Sequence, residues 1–181
     1  VGGITSLVGC YFLGARRGAY IESSKDEEDE NGKKVKRKLK EVEPARNPTM
    51  LAFGGFILWY GWFAFNITSP IIGGVDAGQN LGQSGLNTLL APCAAAASCI
   101  MYKGIRIKKD ANSFKKIVTM EDLLGTILAG AVAITASCYT APWWASLVIG
   151  FFASFVFFFG GWVVREKLVI DDPLGVCSVH L

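Results

Sequence analysis

Apolar and polar residues fall in long blocks along this chain rather than alternating residue by residue. Five apolar runs stand out: VGGITSLVGCYFLG (1–14), Met50 to Ile72, LGQSGLNTLLAPCAAAASCIMY (81–102), LLGTILAGAVAITASCYTA (123–141) and WWASLVIGFFASFVFFFGGWVV (143–164). LGVCSVHL (174–181) opens a sixth. A helix needs about 20 apolar residues to cross the hydrocarbon core of a bilayer, so the second to fifth runs predict spanning helices. The first run is too short, and with no start methionine or signal peptide before it the chain reads as an internal piece of a longer protein. The predicted elements are the end of a helix over 1–18, a charged loop over 19–49, helices over 50–72, 81–102, 121–141 and 143–168, and a helix start at 174–181. Pro92 predicts a kink in the third run. Small residues recur in AAAA (94–97), LAGAVA (128–133) and Gly160-Gly161. They let helix backbones approach in lipid, so the pattern predicts a tight all-α bundle.

Composition sharpens this. The 181 residues are 51% hydrophobic and 18% charged, against about 25% charged in a soluble domain. Most of the charges lie in 16–48 and 103–116. Basic residues occupy the first, third and fifth connections: Arg16, Arg17 and KKVKRKLK (33–40), then six between 103 and 116, then Arg165 and Lys167. The connections at 70–80 and 139–143 hold none. Alternate loops are therefore basic, which places those three in the cytoplasm of a multi-pass membrane protein. No aromatic residues interleave with the basic ones, so the net charge of +3 does not point to nucleic acid. The acidic half of the 19–49 loop fails the calcium pattern, because with Gly32 at the sixth position the twelfth is Lys38. Its basic half fits either a solvated tether or a contact with anionic lipid. A regulator of this loop has no readable signature, and Ser23 and Ser24 give only a poor phosphorylation signal.

The chain carries little enzyme chemistry. His180 is the one histidine, and no nucleophile–base pair or GxxxxGK[ST] loop occurs. The five cysteines form no CxxC pair, and four lie in apolar runs where a thiol packs as a small hydrophobe. No enzyme activity, cofactor or metal site is expected. The polar residues inside apolar runs, Asn66, Ser69, Asn87, Thr88, Thr135 and His180, are costly in lipid unless they bond between helices or face a pathway. LWYGWFAFN (58–66) is the densest aromatic stretch. On a helix Leu58, Trp62 and Phe65 share a face, and the basic loop before it sets the helix running outward. The rings fit two readings: interface anchors, or a vestibule whose ring faces attract a cation at about 0.5–2 kcal/mol per contact. Asn66-Ile67-Thr68 matches a glycosylation sequon but sits at the end of a spanning run.

FGGFILWYGWFAFNITS (53–69) resembles the sixth helix of the ammonium transporter family (Amt, Mep and Rh proteins). LLGTILAGAVAITASC (123–138) resembles the eighth helix, IDDPLGVCSVHL (170–181) the approach to the tenth, and GGITSLVGCYFLGARRG (2–18) the end of the fifth. The resemblance runs through the chain in order, apart from the charged insert. It implies an eleven-helix inverted-repeat bundle, a homotrimer with one pore per subunit, and a plasma-membrane location. Phe65 is similar to a phenylalanine of the outer gate, and Ser69 to the serine that bonds ammonium in the vestibule. Trp62 and Asn66 would shape and brace the pore, Thr135 matches a threonine near its wall, and His180 is similar to the second of two pore histidines. The first histidine, the partner phenylalanine and the vestibule tryptophan would precede Val1. Gly175 stands where some members carry an acid.

The implied activity is ammonium transport. Ammonium is held by rings and a hydroxyl, loses water and a proton, and crosses an apolar pore as ammonia; potassium, having no proton to lose, is rejected. Two alternatives share the fold: an ammonium sensor feeding an attached signalling domain, and an Rh-type ammonia or carbon dioxide channel, against which Ser69 argues. A purely structural bundle is the reading from another class.

Overall fold

The computed structural model describes residues 2–19, 39, 47–74, 77–105 and 118–180. Most of the 19–49 loop and the basic stretch 106–116 lie outside these residues, and with them the readings of the tether, its lysine cluster and Ser23 and Ser24. The described residues form helices, with no strand among them: α1 (Gly2–Leu13), α2 (Pro48–Ile72), α3 (Ala77–Ile105), α4 (Met120–Thr135), α5 (Trp143–Trp162), extended by a π-helical turn (Val163–Lys167), and α6 (Val176–His180). Among the described residues, three stretches are long and apolar enough to cross a membrane, Pro48–Ile72, Asn80–Ile105 and Trp143–Lys167.

Local chemistry fixes the helix ends. Asn47 caps α2 by accepting the Met50 N–H at 3.0 Å, and Pro48 occupies the first helical position, where no N–H is needed. Thr119 and Asp122 form a reciprocal capping box at the start of α4. The same Asp122 carboxylate takes Lys103 Nζ at 2.8 Å, tying the end of α3 to the start of α4.

The chain divides into two compact units, Pro44–Phe157 and the pair of segments Val1–Glu43 and Phe158–Leu181. In the first, α3 is the hub. Of its spanning window 44% is buried, against 11% for α2. α2 and α4 run parallel to each other, with Gly55 against Leu124 and Trp62 bonded to Thr135, and antiparallel to α3. A Cβ at Gly130 would stand 2.9 Å from the Ala91 carbonyl and from Ala95 Cβ; one at Gly150 would also collide with Ala91 backbone. Ala91, fully buried, is thus gripped by glycines of α4 and α5, the close approach that small residues permit in lipid. Ser98 Oγ donates to the Phe151 carbonyl at 3.0 Å and continues the α3–α5 contact.

In the second unit α1 packs on α6. The Arg16 backbone N–H (3.1 Å), Nε (2.8 Å) and Nη2 (3.0 Å) all donate to the Asp171 carboxylate. Asp172 turns the other way and accepts the Val176 and Cys177 N–H groups at 3.1 and 2.8 Å, capping α6. The turn between them uses Gly175 at φ +64°, a left-handed conformation a side chain would strain. Lys167 Nζ lies 4.8 Å from the centre of the Trp162 ring.

Some boundaries depart from the hydropathy reading. α3 extends beyond 81–102 at both ends and continues through Pro92. α4 stops at Thr135, short of the expected 141, and residues 136–140 form turns. Pro142 has no N–H for the Cys138 carbonyl, and the carbonyls of Cys138 and Ala141 are taken instead by side-chain amides of α3, Asn87 Nδ2 at 2.8 and 2.7 Å and Gln83 Nε2 to Ala141 at 2.6 Å. An apolar run cannot reveal that its backbone is bonded by a neighbour rather than by itself.

Candidate functional site

The site grows from α2. Its packed stripe is Gly55, Trp59, Trp62, Asn66 and Pro70, recurring at steps of three and four residues. Phe53, Ile57, Tyr60 and Ile71 point away and are exposed. Phe65 and Leu58, expected to share the face of Trp62, sit on its flank; both are exposed, Phe65 at 63%.

Two prolines decide the polar chemistry. A proline inside a helix removes the N–H that would bond the carbonyl four residues earlier. Pro70 frees the Asn66 carbonyl and Pro92 the Thr88 carbonyl. Each is claimed from a neighbouring element. Ser84 Oγ donates to the Asn66 carbonyl at 2.9 Å, with the Cys138 thiol also facing it at 3.6 Å. Trp59 Nε1 donates to the Thr88 carbonyl at 3.2 Å. Asn66, fully buried, sends its Nδ2 to Thr88 Oγ1 at 3.0 Å, and that hydroxyl passes its own proton to the Ser84 carbonyl at 2.7 Å. Asn66 therefore joins α2 to α3 by both side chain and backbone. Asn66 Oδ1 and Asn87 Oδ1 are buried with no hydrogen-bond partner among the described residues.

The remaining sequence-predicted residues fall into three groups. Trp62 and Thr135 are brought together: Trp62 Nε1 donates to Thr135 Oγ1 at 3.0 Å, and the hydroxyl donates onward to the Ala131 carbonyl at 2.7 Å. The indole is thereby held at the last residue of α4. Phe65 and Ser69 form a second pair, because Ser69 Oγ donates to the Phe65 carbonyl at 3.1 Å. With its proton committed to its own helix, the Ser69 oxygen has only lone pairs to offer an incoming group. His180, the last residue of α6, is exposed and belongs to the other unit.

Reading residues by type missed part of this network. Ser84 and Gln83 are not singled out in the sequence, and Cys138 reads as a small hydrophobe. The readable signal was the pair of spacings Asn66–Pro70 and Thr88–Pro92, each a proline four residues after a polar residue.

Comparison with known proteins agrees with this architecture. The family model described as Ammonium Transporter Family matches residues 1–181. A putative ammonium transporter 3 of Caenorhabditis elegans is 32% identical over 183 residues, covering 100% of this chain and 23% of that protein. Ammonium transporter 1 member 2 of Arabidopsis thaliana is 30% identical, with 99% and 32% covered, and ammonium transporter Amt2 of Archaeoglobus fulgidus 32% identical, with 99% and 33% covered. Among solved structures, a sensor Amt protein superposes with a TM-score of 0.76 at 25% identity over 98% of this chain and 38% of its own. A Mep2 variant of Candida albicans gives 0.66 at 23% identity over 99% and 34%. The chain spans about a quarter to two fifths of the length of these proteins. Its apolar helices are those of a multi-pass membrane protein, and with the family model matched from the first residue to the last, the chain belongs to the ammonium transporter family.

Proposed function

We propose that the intact protein carries ammonium or ammonia across a membrane, and that α2 provides one wall of its outer mouth. The observation that carries this reading is the disposition of Ser69: its hydroxyl proton is turned to the Phe65 carbonyl, so its oxygen is an acceptor. Ammonium, a donor on every side, suits that acceptor, whereas a group needing a donor does not. The Phe65 ring, exposed beside it, adds a face that attracts a cation losing water, at about 0.5–2 kcal/mol. The Trp62–Thr135 bond and the Asn66–Thr88 bond hold the wall behind them rigid, so the mouth need not reorganise when a cation arrives.

The proton is shed near Phe65, and neutral ammonia continues through an apolar pore in which the imidazole of His180 accepts and donates hydrogen bonds. Potassium has no proton to shed and stays outside. The helices α1 to α6 would then be the fifth to tenth of an eleven-helix subunit in a homotrimer of the plasma membrane, with the first pore histidine on the segment before Val1. Uptake of ammonium or methylammonium by vesicles holding the full-length protein tests this: Phe65→Ala and His180→Ala should each change flux or selectivity over potassium by several-fold. Normal uptake and selectivity in both variants would sink it.

The likeness to a sensor Amt protein favours one second reading, in which the same mouth reports ammonium to an attached signalling domain. Ammonium-dependent output from such a domain, without net flux, would distinguish it.

A further inference from the structure

Cys10 on α1 and Cys177 on α6 are 167 residues apart in sequence, yet they meet in the fold with Asp172 between them. The two sulfurs and a carboxylate oxygen of Asp172 lie within 4.8 Å of one another, with Asp172 and Cys177 buried and Cys10 half-buried. We propose that these three residues form a site for a thiophilic divalent cation of the zinc class, which would clasp α1 to the start of α6.

The donor set selects the ion. Two thiolates and one carboxylate outweigh a divalent charge by one and supply soft sulfur, which zinc accepts and calcium or magnesium refuse. Zinc bonds sulfur at about 2.3 Å and carboxylate oxygen at about 2.0–2.2 Å, so tetrahedral ligands stand roughly 3.5–3.8 Å apart. The atoms of the observed cluster, all within 4.8 Å, need to draw together by at most about 1.0–1.3 Å to meet that spacing. Binding replaces the two thiol protons, which leave to solvent.

The surroundings fit a ligand role. Asp172 is oriented by two backbone N–H groups, Val176 on Oδ1 and Cys177 on Oδ2, and each oxygen keeps a lone pair for an ion. The neighbouring Asp171 is anchored to Arg16, just beyond α1, so the two strands of backbone that carry the ligands are already tied. Ser6, one turn before Cys10, lies beside the Cys177 sulfur and can donate to a thiolate there. A disulfide is the other fate of two neighbouring thiols. Arg16, Arg17, Arg165 and Lys167 flank these elements in the sequence and put them at the cytoplasmic face by the positive-inside rule, where thiols are kept reduced and such a pair serves metal binding instead. The site stands whether or not ammonium is the cargo.

The test uses the full-length protein, stripped with a chelator, and zinc alone as the probe. One zinc per chain should bind in competition with a chromogenic chelator, and zinc should slow the maleimide labelling of half-buried Cys10. Cys10→Ser and Cys177→Ser should weaken binding at least ten-fold, and Cys93→Ser should leave it unchanged. Labelling of Cys10 that zinc does not alter in the wild-type protein would overturn the proposal without reference to any variant. Equal zinc binding in wild type, Cys10→Ser and Cys177→Ser would overturn it as well.

Discussion

The Trp62 indole donates its Nε1 proton to the Thr135 hydroxyl across 3.0 Å, joining two residues that lie 73 positions apart on parallel helices. The same hydroxyl is pinned to the Ala131 carbonyl, so the indole has one orientation and not a range of them. Thr135→Val keeps the shape and removes the acceptor. It should cost about 1 kcal/mol, and a double-mutant cycle with Trp62→Phe should give a coupling of about 0.5–1.5 kcal/mol. Reversible unfolding of the full-length protein in mixed micelles measures both. Additive losses would mean that the bond contributes nothing.

The proline account predicts a different non-additivity. Pro70→Ala restores an N–H to the Asn66 carbonyl, which Ser84 and Cys138 now serve. Ser84→Ala should therefore cost about 1–2 kcal/mol in the wild-type protein and clearly less in the Pro70→Ala background. Equal losses in the two backgrounds would show that the freed carbonyl is not what Ser84 stabilises.

The grip on Ala91 allows little added volume. Gly130→Leu and Gly150→Val should each destabilise by more than about 2 kcal/mol, since the first new carbon meets backbone rather than the end of a movable side chain. Gly54, whose Cβ would meet nothing within 4 Å among the described residues, should accept alanine at little cost and serves as the control in the same unfolding assay.

Acid should act at the Arg16–Asp171 pair. The hydrogen bonds from Arg16 hold the Asp171 carboxyl below its usual range, although burial alone would raise it. A depressed pKa in the fold means that the pair's stabilisation is complete above the ordinary carboxylate value of about 3.9 and is lost as pH falls through the folded value. Wild-type stability should fall more steeply than that of Asp171→Asn below about pH 4. Parallel pH profiles for the two proteins would contradict this.

These relationships were legible in the sequence to different depths. Blocks of apolar residues and the alternation of basic loops exposed the helices, because a bilayer imposes length and loop charge on any chain that crosses it. The end of α4 was legible only in part: Pro142 leaves the Cys138 carbonyl without an N–H, but nothing in SCYTA shows that Gln83 and Asn87 take the carbonyls there. The π-turn after Trp162, closed by the Leu168 N–H on the Val163 carbonyl at 2.9 Å, leaves no mark in hydropathy. Asn66 and Thr135 stood out because polar groups in lipid need partners, and Trp62 because of its aromatic stretch; the structure gives each a hydrogen-bond partner. The meeting of Cys10 with Cys177 depends on how α1 packs on α6, which no local pattern encodes.

The central claim is that Ser69 and Phe65 present an acceptor and a ring face to ammonium. It is tested most directly by the concentration dependence of ammonium-evoked flux in vesicles reconstituted with the full-length protein, comparing wild type with Ser69→Ala and Phe65→Ala. Loss of a hydrogen bond to a charged group, about 1.5–3 kcal/mol, corresponds to a rise of roughly ten-fold or more in the half-saturating concentration for Ser69→Ala. Phe65→Ala should also change flux or admit potassium. Half-saturation, maximal flux and potassium exclusion all unchanged in both variants would contradict the account.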